Sequence, residues 1–181
     1  RFSYMFLENV EKNSETPKVI AKNLIDIGIG LVSPLVDILN YINIDLGQPM
    51  HAYDLDKLKG EISIRFSKSG EKFKALDGKE YELGEKNIVI CDENGIISLA
   101  GIIGAEHCAI SSRTKNALIE SAFFPPDLMA NKARELKLQT ESSQRFERGV
   151  DFDLPKNALI LLQNIISKYS LYKFSDIEVY E

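Results

Sequence analysis

Glu120 is a lone carboxylate inside an apolar run, Ala117 to Phe124. An acid in a half-buried strand is costly unless something donates to it. Just before it, Gly101-Ile102-Ile103-Gly104-Ala105-Glu106 interrupts another apolar run, Ile96 to Ile103, with glycines. Glycine lets backbone N–H groups approach a ligand with no Cβ in the way. Two readings stand: a small pocket with a polar hook at its end, or a β-bulge beside a carboxylate satisfied by local backbone.

Other polar groups are candidates for the same neighbourhood. His51 lies in Gly47-Gln48-Pro49-Met50-His51-Ala52-Tyr53-Asp54, a stretch read as a loop after a helix stop. It could serve as a hydrogen-bonding or acid–base group near a ligand, or simply tie its loop to backbone. Asn40, placed at the end of the second helix, either faces that loop or caps its own helix. His107 reads as an exposed turn residue. Arg145, Glu147 and Arg148 fall close together. The arginines could contact phosphate, but alternating signs favour an internal ion-pair knot. No Gly-x-x-x-x-Gly-Lys loop is present, which argues against a nucleotide triphosphatase. No Gly-x-Ser-x-Gly advertises a nucleophile.

The elements that must position these groups follow from pattern. Phe2 to Val10 reads as a strand, and residues 11–16 as a loop. Thr16-Pro17 and Ser33-Pro34 are helix-start signals, with a hydroxyl N-cap before proline. Val19, Ile20, Leu24 and Ile27 form one apolar face, and Leu35, Ile38, Leu39 and Ile42 the next. Gly28 and Gly47 close the two helices. Ile62 to Ser67 alternates as a strand, and Asp77-Gly78 and Asn94-Gly95 signal hairpins. Pro125-Pro126-Asp127 opens a helix over 126–137. Thr140 caps a short helix or turn to Phe146, and Pro155 opens a last helix near Lys156 to Lys168 before a final strand. The expectation is a single α+β domain over 1–181 with mostly antiparallel strands.

Bulk properties narrow the function. The chain of 181 residues can bury one substantial core. No apolar span reaches membrane length, and no signal peptide opens the chain. A start at Arg1 points to a piece of a longer protein. Cys91 and Cys108 are the only cysteines, without a CxxC pair, and there are two histidines. That argues against a structural zinc site or a disulfide framework and fits a reducing, cytoplasmic compartment. A net charge of −5 argues against gripping a long nucleic-acid backbone, though a short single-stranded end remains open.

Five strings in register carry a resemblance: Leu46 to Asp54, Ala75 to Gly78, Leu99 to Ala105, Leu118 to Phe123 and Leu138 to Asp151. Together they resemble the editing module in the β subunit of bacterial phenylalanyl-tRNA synthetase, across nearly the whole chain. The resemblance implies a three-layer β/β/α core. It implies hydrolysis of tyrosine wrongly esterified to the 3′ end of phenylalanine tRNA. Glu120 matches the carboxylate that accepts the tyrosine phenol. Gly104 and Ala105 match the turn packed on the ring, and Thr140 and Ser142 the opposite wall. His51 and Asn40 match polar groups near the aminoacyl end, where any chemistry would occur. Implied partners are the acceptor end of tRNA(Phe) and an α subunit, in a heterotetramer. No cofactor or metal is expected in the module itself; ATP and magnesium belong to the parent's synthetic site. A non-hydrolytic module that docks the tRNA end is the alternative, and a free-standing deacylase a third. Departures from the family pattern are Gly30 for a frequent arginine, Ala105 for a second glycine, Ser142 for alanine and Cys108 for serine.

Overall fold

The computed structural model describes residues 1–10, 15–169 and 171–181. Part of the loop expected at 11–16, residues 11–14, lies outside the described residues. In chain order the elements are β1 (Phe2–Glu8), α1 (Lys18–Asp26), α2 (Pro34–Leu46), β2 (Met50–Asp54), β3 (Ser63–Phe66), β4 (Glu71–Lys74), β5 (Glu80–Leu83), β6 (Ile88–Asp92), β7 (Gly95–Leu99), β8 (Ile103–Gly104), β9 (Asn116–Ala122), α3 (Pro126–Met129), α4 (Lys132–Glu135), α5 (Glu141–Arg148), α6 (Leu154–Tyr169), β10 (Lys173–Phe174) and β11 (Glu178–Tyr180). This is the expected α+β class.

Strand β9 is the organising element. It pairs antiparallel with β1 on one side and β2 on the other, within the sheet β10-β1-β9-β2; β11 also joins β1. Side chains on a strand alternate between faces. Ala117 and Ile119 join Ile20, Leu35, Ile38 and Leu162 on the helical side. Leu118 and Ala122 join Val89, Ile97 and Leu99 on the side of a second sheet, β3-β6-β7-β8. Two larger sheets and a helical layer result, with β9 buried on both faces, and β4 pairs with β5 as a separate two-stranded sheet. Glu120 has the parity of Leu118 and Ala122, so it points between the sheets.

Several local expectations change. The stretch from Met50 to Asp54 is strand β2, not loop. The helix expected over 126–137 is two short helices, α3 and α4, separated where Asn131 takes φ 64°. Thr16 does not cap α1; its hydroxyl donates to Asp37 Oδ2 at 2.5 Å, joining the start of α1 to α2. On α1, Ile20 and Leu24 are buried, but Val19 and Ile27 are exposed. The four apolar residues read for α2 are all buried.

Candidate functional site

A cavity opens between the two sheets beside α5, lined by His51, Ser98, Gly104, Glu120, Ser142 and Phe146 among others. It offers about 50 Å³ to the centres of water-sized molecules. One water needs roughly 10–15 Å³ on that measure. The cavity therefore holds a few waters, or a small flat group that displaces them.

Each wall has a local cause. Register across β2 and β9 sets His51 opposite Glu120, both turned toward the second sheet. The turn from β7 to β8 brings Gly104 over the His51 ring. A Cβ built on Gly104 would fall 2.6 Å from His51 Cε1 and 3.3 Å from Leu76 Cδ1. Gly101 has φ +68° and packs as tightly: its Cβ would meet Met129 Cε at 2.8 Å and Phe146 Cδ2 at 2.9 Å. These glycines line the cavity and also admit the neighbouring side chains His51, Met129 and Phe146. We expect Gly104→Ala to lower stability by about 1–3 kcal/mol through displacement of the His51 ring. A fall in the urea midpoint at constant slope would register it; an unmoved midpoint would show that the ring yields freely.

Helix α5 forms the remaining wall through Ser142 and Phe146, one turn apart on one face. Its start is fixed by Thr140. The Thr140 hydroxyl accepts from Ser143 N at 3.0 Å and donates to Ile102 O at 2.9 Å. A reciprocal bond from Thr140 N to Ser143 Oγ completes a capping box. Thr140 thus clamps α5 to the 101–104 turn, and its hydroxyl is already engaged.

The electrostatics invert the usual order of imidazole and carboxylate. Glu120 is 6% exposed, and burial pushes its carboxyl up to about 7 while the Tyr53 hydrogen bond pulls it back. His51 lies opposite, and burial drives its imidazole down to about 4. It is neutral at pH 7 and a poor proton acceptor there. Its Nε2 is sealed from solvent and has no hydrogen-bond partner, although the residue as a whole is only half-buried. Tyr53, unmarked by sequence reasoning, donates its phenol to Glu120 Oε2. The only sequence signal was its position two residues after His51, on the same face once β2 is known to be a strand.

The structure gathers Glu120, Gly104, His51 and Ser142 around one cavity. Thr140 stands behind the wall, and Ala105 is buried beside Gly104 without lining it. Asn40 lies inside α2, the helix that runs on to Leu46, and does not line the cavity. The ion-pair knot does not form: among the described residues neither Arg145 nor Arg148 has a carboxylate partner. Both line a groove with Gly47 and Gln144, and Arg145 Nε is buried without a hydrogen bond. Cys108 is fully buried, and His107 is exposed. Among the described residues no helix is long and apolar enough to cross a membrane.

An α+β domain with a carboxylate closing a cavity between its sheets is the class defined so far, and its family is known: residues 1–171 match the B3/4 domain, and the chain belongs to that family. Its relatives are more specific. The phenylalanine--tRNA ligase beta subunit of Vibrio parahaemolyticus is 43% identical over 159 residues, covering 88% of this chain and 20% of that protein. The same subunit of Acinetobacter baylyi is 40% identical over 181 residues, covering 100% of this chain and 23% of that protein. The chain thus spans about a fifth of the length of the relatives it matches. An N-terminal fragment of the phenylalanyl-tRNA synthetase beta-subunit from Pyrococcus horikoshii shares the fold, with TM-score 0.57 and 14% identity over 96% of this chain and 46% of that one.

Proposed function

We propose that this chain is the editing module of a phenylalanine--tRNA ligase β subunit and hydrolyses tyrosine mischarged onto tRNA(Phe). The observation that carries this reading is Glu120, a carboxylate buried in the wall of a narrow cavity between the sheets. Tyrosine and phenylalanine differ by one hydroxyl. The carboxylate oxygen that Tyr53 leaves free gains a partner from the phenol and has none against a plain ring, so the wrong product enters preferentially. The tRNA acceptor end and the synthetase α subunit are the implied partners, with ATP and magnesium used elsewhere in the parent enzyme.

The reaction asks little of the side chains. An aminoacyl ester is already activated, and holding a water in line with its carbonyl supplies much of the rate. Ser142 offers a hydroxyl on the cavity wall suited to order such a water, whereas the Ser98 hydroxyl already donates to Ile103 O at 3.3 Å. His51 is better suited to position groups than to take a proton, because it is neutral and its Nε2 is covered. That covered nitrogen also supports a second reading, a module that docks the tRNA end without hydrolysis.

Deacylation of tyrosyl-tRNA(Phe) and phenylalanyl-tRNA(Phe) by the intact enzyme carrying this chain separates the two. Editing predicts rapid loss of the tyrosyl ester and slow loss of the phenylalanyl ester. Release of both at the enzyme-free rate would leave only docking.

A further inference from the structure

Glu120 already has a phenol on it. Tyr53 lies on β2 opposite Leu118, diagonal to Glu120, within reach of a long side chain across an antiparallel pair. Its hydroxyl donates to Glu120 Oε2, and no protein donor reaches Oε1 among the described residues. Tyr53 is fully buried, its ring edge-on to His51 at 4.5 Å between centroids and 79° between planes. Its backbone also bridges to Ala109. Swinging this side chain out would open the core, so the internal phenol stays when a ligand enters. A carboxylate has lone pairs on both oxygens and accepts from two donors at once.

We infer that Tyr53 is a specificity-determining positioning residue: its phenol holds Glu120 Oε2 in place and leaves Oε1 to accept the phenol of a tyrosyl ester. This rests on the editing reading above. The internal bond fixes the carboxylate's orientation before any ligand arrives, so no reorganisation is needed on binding. It also acts on charge. The bond favours the ionised form of Glu120, the form that accepts from a second phenol. Tyr53 itself remains a donor, because burial and the adjacent carboxylate raise its own titration well above the ordinary range. The other titratable groups near the pair are His51 on β2, Tyr4 opposite Glu120 on β1, and Cys108, which influences Tyr53. Of these side chains only Tyr53 contributes to the shift at Glu120.

The test compares the intact enzyme with Tyr53→Phe, Glu120→Gln and the double variant, and follows the ratio of tyrosyl to phenylalanyl ester hydrolysis from pH 6 to 9. Taking a ratio cancels the general acceleration of ester hydrolysis by base. Tyr53→Phe keeps the ring and removes only the hydroxyl, and near-ultraviolet circular dichroism checks its packing. The expected result is a ratio about tenfold lower at pH 7, recovering toward pH 9 as Glu120 ionises later. In the Glu120→Gln background, Tyr53→Phe should have no pH-dependent effect. An unchanged ratio, an equal loss at every pH, or an equal pH-dependent loss in both backgrounds would overturn the inference. If the unaltered enzyme hydrolyses neither ester, the editing reading fails. Calorimetric binding of tyrosine amide against phenylalanine amide over the same pH range then decides on Tyr53. The same pH-dependent drop in tyrosine preference would support it, and equal binding of the two amides by the unaltered enzyme would overturn it.

Discussion

Glu120→Ala should collapse the preference for tyrosyl over phenylalanyl ester by about 100-fold in kcat/KM. Two effects push in the same direction. Under the editing proposal the tyrosyl ester loses the acceptor for its phenol, a charge-assisted bond. The phenylalanyl ester no longer has to desolvate Oε1, the carboxylate oxygen without a protein donor among the described residues, so its hydrolysis should rise. The variant also removes the acceptor that holds the Tyr53 hydroxyl, which leaves that buried donor unpaired and costs about 1–3 kcal/mol of stability. Measuring both esters with both enzymes, at a temperature well below unfolding, isolates recognition from folding. Should the ratio survive intact, Glu120 does not read the phenol, and the cavity between the sheets serves another purpose.

Glu120→Gln should stabilise the chain above neutral pH. The carboxyl is raised from 4.5 to about 7 on folding. A raised folded value favours the protonated form, so stability is full below about 4.5 and is lost as pH rises through about 7. The difference amounts to about 3 kcal/mol, at roughly 1.4 kcal/mol per unit. Glutamine keeps an oxygen for the Tyr53 hydroxyl and carries no charge. Urea titrations should show little difference between the two chains at pH 4.5, and a gain of about 3 kcal/mol for the variant at pH 8. A gain of the same size at both pH values would mean the charge is not responsible. Stabilisation with impaired tyrosine selection is what a site that stores unfavourable charge for function should display.

What the sequence revealed tracks how local the physics is. The apolar stripe of α2, the Thr140 cap and the hairpin ahead of Gly95 are set by neighbours within a few residues, and each was legible. Strand β2 was not. Its residues are buried on both sides, His51 and Tyr53 toward the second sheet and Ala52 toward the helices. That erases the alternation by which a half-buried strand is recognised, while Gly47 and Pro49 give the stretch the composition of a loop. The break in the helix over 126–137 depends on one left-handed residue, Asn131, which no periodicity announces. Within the site, Glu120 stood out because a lone acid in an apolar run needs an explanation. Its partner did not, because Tyr53 is 67 residues away and meets it only after β2 and β9 pair. The resemblance named His51, Gly104, Glu120 and Ser142, which strand pairing and the Thr140 clamp on α5 bring to one cavity, and also Asn40, Ala105 and Thr140, which do not line it.

The cross-strand register of His51 with Glu120 makes folding itself a proton relocation. In mild acid, between about 4.5 and 6.5, the unfolded chain carries imidazolium and carboxylate, whereas the folded chain carries imidazole and carboxylic acid. The proton moves from one neighbour to the other, with no net uptake or release, and an ionic couple becomes two uncharged groups. Acid titration of folding stability should therefore be nearly flat for this couple across that interval. Neutralising either member alone would unmask the slope of the other, with opposite signs for the two.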